Sequence, residues 1–397
     1  MKSLQRNLPL LCLFKACQMS LFPLSIITLF HQFQIGLTQE QILIIQGIKS
    51  LICALFEFPA GWIADRIGYR KTLILGSISL LICWVLYTQA DSFNGIVLAD
   101  AFLGIGWSFI YGTDAALLYE SLLGQEKLHE LSMWNGRISF WGQLAEAACA
   151  VAAGFIYEYS PAMPFYIQAG ISVLNIILAL LILEPDRKRS LRKDKFREIR
   201  EMFKKTFIDS KVLCYSTLLF IILGIASYLQ VWNIQVYAKQ SGISSFWLGI
   251  NWAIANIFVA LGSLYSHRIE KNIGTLKTLY LCLILIIIGY SGLSLLPGII
   301  GFAFYYFLTF ERGINYPVLN DIQQKVIPSE NRAGMLSITN FSFRVIFALI
   351  CPLAGMLIEF AGFKVFFLVA GVLFTVTGFI LLKNLKYQLQ KENWTNL

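Results

Sequence analysis

Long apolar runs separated by short polar stretches recur from one end of the chain to the other. They fall roughly at 9–31, 41–61, 72–90, 95–120, 133–158, 164–183, 212–238, 246–266, 278–296, 299–322, 334–358 and 364–382. Runs near twenty residues suit helices crossing about 30 Å of hydrocarbon and are too long for barrel strands. The pattern predicts an all-α membrane protein with twelve transmembrane helices. Most connections are short. The exception is 184–211, "EPDRKRSLRKDKFREIREMFKKTFIDSK", with eleven Lys/Arg against six Asp/Glu. It divides the spans six and six, so the expected organisation is an N-terminal bundle (1–183), a basic linker (184–211) and a C-terminal bundle (212–397). A solvated linker is one reading of that segment; an amphipathic helix lying on anionic lipid is another.

Composition agrees. The 397 residues are 57% hydrophobic and 14% charged, where a soluble domain is about a quarter charged. The net charge of +9 has a simple source. With the N-terminus inside, the inner segments hold twenty-five Lys/Arg and the outer ones only Lys239 and Lys364. That bias predicts cytoplasmic termini and linker in a bacterial-type inner membrane, and leaves no charge that needs nucleic acid to explain it. Lys15 interrupts the first apolar run and no small-x-small site follows, so the run reads as a span and not a signal peptide. All eight cysteines fall inside apolar runs without a C-x-x-C pair, and the three histidines are scattered. No metal-ligand spacing or cofactor motif is present.

The halves read as copies. An offset of 201 residues places Gly61 on Gly262, Gly112 on Gly313, Glu120 on Asp321, Gly154 on Gly355, Glu158 on Glu359, and Ala169-Gly170 on Ala370-Gly371. Two six-helix halves related by an axis along the membrane normal follow, an organisation of carriers that bind solute near mid-bilayer and alternate access.

Between the second and third spans lies "GWIADRIGYRKTL", residues 61–73. Gly61 and Gly68 permit tight turns. A carboxylate such as Asp65 suits a helix N-terminus. Arg66, Arg70 and Lys71 can pair with acids at the inner end of the fourth span, where Glu120 is the candidate. The stretch resembles the signature loop of the major facilitator superfamily, roughly G-x-L-A-D-R-x-G-R-K-x-x-L, departing from it at Ile63 and at Tyr69, which moves the basic pair by one place. The resemblance implies a monomeric secondary transporter, not an enzyme, whose loop latches the cytoplasmic side. A purely topogenic cluster is the bland alternative. The resemblance also implies that helices 1, 4, 7 and 10 line the cavity, which selects Lys15, Asp100, Trp107, Asp114, Trp232, Asn233, Glu311 and Arg312.

Ten ionisable residues lie within spans and away from their extreme ends: Lys15, Lys49, Arg137, Arg312, Arg344, Glu57, Asp100, Asp114, Glu146 and Glu311. Each is costly in hydrocarbon unless paired or hydrated. Depth suggests Glu311 with Arg344, Arg137 with Asp114, Lys15 near Glu57, and Lys49 with Asp100. Function and structural pairing both stay open for these. Glu146 has no evident partner, which makes it the candidate proton carrier; a neutral, hydrogen-bonded acid is the alternative. Arg312 and Arg344 favour an anionic or zwitterionic solute, such as an organic acid or metal chelate. "GTDAALLYESL" (112–122) resembles efflux or siderophore-type carriers.

No G-x-x-x-x-G-K-[ST] occurs, so energy is expected from a gradient, through the substrate or a coupled proton. A proton-coupled multidrug exporter is the same-fold alternative. It is weakened because "DAFLGIG" has Asp100 where such exporters carry arginine, and "AVAAG" (150–154) lacks their proline. A non-transporting membrane sensor or scaffold is the alternative of another class.

Overall fold

The computed structural model describes residues 4–185, 195–327 and 332–392. Among them there is no strand. In chain order the helices are α1 (Asn7–Met19), α2 (Ile27–Leu29), α3 (Gln39–Ile67), α4 (Tyr69–Gln89), α5 (Phe93–Ile110), α6 (Thr113–Leu123), α7 (Leu131–Tyr159), α8 (Met163–Leu181), α9 (Lys195–Lys204), α10 (Lys211–Gln240), α11 (Ser245–Ile273), α12 (Thr275–Leu295), α13 (Gly298–Ala303), α14 (Tyr305–Val326) and α15 (Arg332–Lys391).

Two helix starts carry side-chain caps for their exposed N–H groups. Thr38 Oγ1 accepts from Gln41 N at 3.2 Å while Gln41 Oε1 accepts from Thr38 N at 3.0 Å, a reciprocal box that opens α3. Ser210 accepts from Leu213 N at the start of α10.

Among the described residues, ten helical stretches are long and apolar enough to cross a membrane. Twelve crossings result once two of the expected spans are placed. The sixty residues of α15 would reach about 90 Å if straight. Gly362, with φ 77° and ψ 169°, breaks them into two spans. The tenth span, α13 with α14, is too polar to stand out by composition, since α14 carries Glu311, Arg312, Asp321 and Lys325.

Three expected spans are not continuous helices; the tenth is divided at Phe304 between α13 and α14. The first stops at Met19 and proceeds through a 3₁₀ turn (Phe22–Ser25), α2 and a π turn (Phe30–Gln34). Pro23 has no N–H to continue the ladder. The fourth span breaks between α5 and α6, where Tyr111 is extended and Gly112 takes φ 85°. A side chain at that φ would be strained.

The chain forms two compact units. The first holds Met1–Leu191 and Ser245–Ala253; the second holds Arg192–Ser244 and Ile254–Leu397. Part of the basic stretch 184–211, residues 186–194, lies outside the described residues. The repeated glycines serve different ends. In the second unit a Cβ on Gly262 would sit 2.3 Å from Phe310 O, and one on Gly313 would sit 2.1 Å from Val259 O, so α11 and α14 cross glycine on glycine. Their counterparts Gly61 and Gly112 face open space.

Candidate functional site

The signature loop is held by a carboxylate, but not the expected one. Gly68 joins α3 to α4 with φ 107°. The first amides of α4 then point at Glu184: Tyr69 N donates to Oε1 at 2.8 Å and Arg70 N donates to Oε2 at 2.7 Å. A carboxylate there satisfies two orphan donors and meets the positive end of the helix dipole. A Cβ on Gly68 would lie 2.9 Å from the Glu184 carboxyl carbon, so the glycine is required twice, for its φ and for this approach. Arg70 Nη2 donates to Leu180 O at 2.5 Å, near the negative end of α8. Arg66 stacks on Trp62 at 3.8 Å. Lys71 is exposed.

Among the described residues no side-chain bond ties Glu120 to this loop, which corrects the expected pairing. Glu184 takes the place because the extended chain after α8 is pinned beside the loop. Asn7 Oδ1 accepts from Leu183 N at 2.9 Å, and Asn7 Nδ2 reaches Leu183 O at 2.8 Å and Ser121 Oγ at 3.0 Å.

The first unit contains two Lys–Asp pairs. Lys49 Nζ lies 3.6 Å from Asp100 Oδ2, as depth suggested, with only 6% and 1% of the two side chains exposed. Lys49 also bonds Gln46 Oε1. Tyr87 donates to Asp100 Oδ1 at 2.5 Å, and His31 Nε2 lies 3.2 Å from the Tyr87 oxygen. The tyrosine proton is engaged with Asp100, so His31 is the donor to Tyr87 and carries its hydrogen on Nε2. Four segments of the unit thus converge on one buried network, with Phe165 stacked on Tyr87 at 5.1 Å. Asp100 is sealed inside it, which corrects its expected place as a lining residue.

The second pair is more open. Lys15 Nζ lies 3.1 Å from Asp114 Oδ2, with 18% and 16% of the side chains exposed. Asp114 sits in the first turn of α6, just past the helix break, and its Oδ1 accepts from Ala115 N at 2.8 Å. The lysine ammonium is 5.3 Å from the Tyr111 ring, which meets Trp107 edge-on. Gly142 leaves room for the lysine stem, since a Cβ there would lie 3.2 Å from Lys15 Cγ. Lys15 therefore pairs with Asp114 and not with Glu57. Arg137, expected on Asp114, is exposed and lies 4.8 Å over the Trp134 ring. The shift follows from the break: ending α5 at Ile110 turns Asp114 into a helix-start residue facing α1.

Residues 10–349 match the model of the Major Facilitator Superfamily. The chain belongs to this superfamily. The superfamily relatives include raffinose permease of Escherichia coli, 30% identical over 154 residues that cover 37% of this chain and 35% of the permease. The MFS-type transporter YxaM of Bacillus subtilis (strain 168) is 21% identical over 373 residues, covering 89% of this chain and 91% of its own. Among solved structures, the nucleoside transporter NupG superposes with a TM-score of 0.78 at 13% identity, covering 98% of this chain and all of its own. A bacterial homologue of the human lysosomal transporter Spinster gives 0.74 at 14% identity, with 97% of each chain covered. These likenesses establish a superfamily fold and a multi-pass membrane protein.

In the second unit of this superfamily member, Glu311 is fully buried. Its Oε1 accepts from Asn315 Nδ2 at 2.6 Å, one turn along α14, and its Oε2 has no hydrogen-bond partner. No ion pair joins it to Arg344 among the described residues, which corrects the expected pairing. The i, i+4 amide occupies the carboxyl instead. Gln230 donates to Tyr290 OH at 2.8 Å, and Tyr290 donates to Ala226 O at 2.7 Å. Trp232 and Asn233 are buried, and Asn233 Nδ2 bonds Leu229 O at 3.1 Å. Arg312 and Arg344 are half-buried. On the aromatic tenth span, Tyr305 is buried and Tyr306 stacks on Phe258 at 5.0 Å.

Glu146 does have a partner: Trp252 Nε1 donates to its Oε1 at 3.0 Å. That removes the premise on which it was the candidate proton carrier. Glu158, twelve residues on, accepts from Phe246 N at 3.0 Å in the first turn of α11. Between these bonds the helices touch: a Cβ on Gly249 would lie 2.0 Å from Ala150 O.

The sequence reading missed Glu184, His31, Tyr87, Gln46, Asn315 and Trp252. Asn315 alone carried a signal, being one turn after a membrane carboxyl. The others act across elements whose packing no spacing reveals.

Proposed function

We propose that this chain is a proton-coupled secondary transporter of a small anionic or zwitterionic organic solute, with Glu311 as the proton-binding group. The superfamily supplies transport. The observation that carries the coupling is the buried Glu311 carboxyl: among the described residues its hydrogen-bond partner is a neutral amide, no ion pair reaches it, and one oxygen is left unbonded. A carboxylate without an ion-pair partner is disfavoured away from water, so such a group can exchange a proton when water reaches it. Glu146 is a poorer candidate because it is only half-buried, and Asp100 because a lysine and a tyrosine occupy it.

The solute class rests on Lys15 and Asp114. Their pair is half-open, beside Tyr111 and Trp107, at the start of a half-helix within a span. Discontinuous helices of this kind place N-terminal amides toward anionic groups. Lys15 suits a solute carboxylate or chelate, and Asp114 suits an amine. Raffinose permease, over its limited match, raises a neutral sugar as the competing class. The Lys/Arg bias supports cytoplasmic termini in a bacterial-type inner membrane. The 61–73 loop is assigned the role of a cytoplasmic latch, anchored in its own unit by Glu184.

The test is a thermal-stabilisation screen of purified protein with amino acids, organic acids, metal chelates, sugars and nucleosides, followed by flux in proteoliposomes. Anionic or zwitterionic hits whose stabilisation disappears in Lys15→Met support the reading. Stabilisation by sugars alone, unchanged in Lys15→Met, contradicts the solute class. Flux driven equally well by a proton gradient in Glu311→Gln contradicts the coupling site.

A further inference from the structure

The segment before α10 has two faces that solute transport does not use. It comprises α9 and the π turn Lys205–Asp209. One face docks on its own unit. Met202 lies where a Cβ on Gly334 would be, 2.1 Å from the Met202 sulfur, so the glycine admits the methionine. Thr206 is buried beside it, and its hydroxyl donates to Met202 O at 2.9 Å.

The level of this docking is set by three spans. Leu213 near the start of α10, Ile327 just past α14 and Met335 near the start of α15 form one small buried cluster. Three membrane helices end there, so α9 lies at the edge of the hydrocarbon. Its outward face holds Phe203, 46% exposed, and Ile208, 60% exposed. Exposed Arg200, Lys204 and Lys211 flank them. Glu201 is exposed there as well, and Asp209 takes Lys204 at 3.7 Å. Over the whole segment 184–211, basic residues outnumber acidic ones eleven to six. Apolar side chains between basic ones, on a short helix at the end of spans, are the pattern of an in-plane anchor.

We propose that α9 and the following turn bind an anionic lipid surface, with Phe203 and Ile208 entering the headgroup boundary and Arg200, Lys204 and Lys211 meeting the lipid phosphates. A basic side chain at such a surface contributes about fivefold in lipid affinity, roughly 1 kcal/mol, and the attraction decays within a Debye length.

The test is hydrogen exchange of residues 200–209 in the full-length protein, in nanodiscs of phosphatidylcholine alone or mixed with phosphatidylglycerol. The expected result is slower exchange with phosphatidylglycerol, reversed by high salt. Arg200→Gln/Lys204→Gln/Lys211→Gln should abolish the lipid dependence, and Phe203→Ser/Ile208→Ser should speed exchange in both lipids. Unchanged exchange of α10 and α15 in these variants shows that the fold is kept. Identical exchange in the two lipids, or lipid-dependent protection that survives the triple substitution, overturns the proposal. Protection that follows protein concentration instead of lipid charge assigns the face to a second copy and overturns it as well.

Discussion

Lys49–Asp100 and Lys15–Asp114 are the same ion pair in two settings within one unit. The first is closed, joined to Tyr87, Gln46 and His31, between helices that run unbroken past it. The second stands at a helix break, half-open beside aromatic rings. The contrast teaches that neighbours, and not the pair, decide the role. A closed pair whose hydrogen bonds are largely made resists exchange and fixes packing. An open pair can trade one partner for a solute charge. A second buried tyrosine sharpens the point. Tyr290 of the second unit meets Gln230 and a backbone carbonyl, whereas Tyr87 of the first meets histidine and a carboxylate. The Tyr87 network is charged and the Tyr290 network is neutral, and among the described residues of the second unit no ion pair reaches Glu311.

The largest effect is expected at the closed pair. Lys49→Met leaves Asp100 buried without its cation and should cost about 3–5 kcal/mol, read as a fall in the unfolding temperature in detergent. The double variant Lys49→Met/Asp100→Leu should recover most of that loss. A single variant as stable as the parent would break the comparison.

Next comes the signature loop. Gly68→Ala should cost about 1–3 kcal/mol through its φ and its clash with Glu184. Glu184→Ala should cost about 1 kcal/mol as a lost helix cap, while Glu120→Ala stays within about 0.5 kcal/mol. Equal losses at Glu184 and Glu120 in the same melting assay would restore the pairing first expected.

The smallest stability effect is expected at the open pair. Lys15→Met should change stability by about 0–1 kcal/mol and still abolish stabilisation by the anionic or zwitterionic compounds that stabilise the parent. A large stability loss with those shifts intact would make Lys15 structural, and the two pairs would then be alike.

Much of the fold was legible in the sequence because a bilayer leaves a backbone few choices. The spans, their number and the loop motif follow from apolar length and charge. The breaks at Pro23 and Gly112 were harder to see, because a twenty-residue apolar run looks alike whether the helix is whole or kinked. The site was legible only in part. Depth ordered Lys49 with Asp100 correctly, since both lie on helices that run straight past that level. It failed for Asp114, because the break redirects that side chain toward Lys15. It failed for Glu311, whose carboxyl is taken by its own helix, and for Glu146, whose indole partner lies more than a hundred residues away.

The central claim is that Glu311 is the carboxyl that exchanges a proton. The most direct measurement is the infrared difference spectrum of purified protein before and after addition of a compound that stabilises it, in the region where protonated carboxyl groups absorb. The account predicts a buried-carboxyl band that changes in the parent, persists in Glu146→Gln and is missing from Glu311→Gln. The same band in Glu311→Gln, or its loss in Glu146→Gln instead, would contradict it.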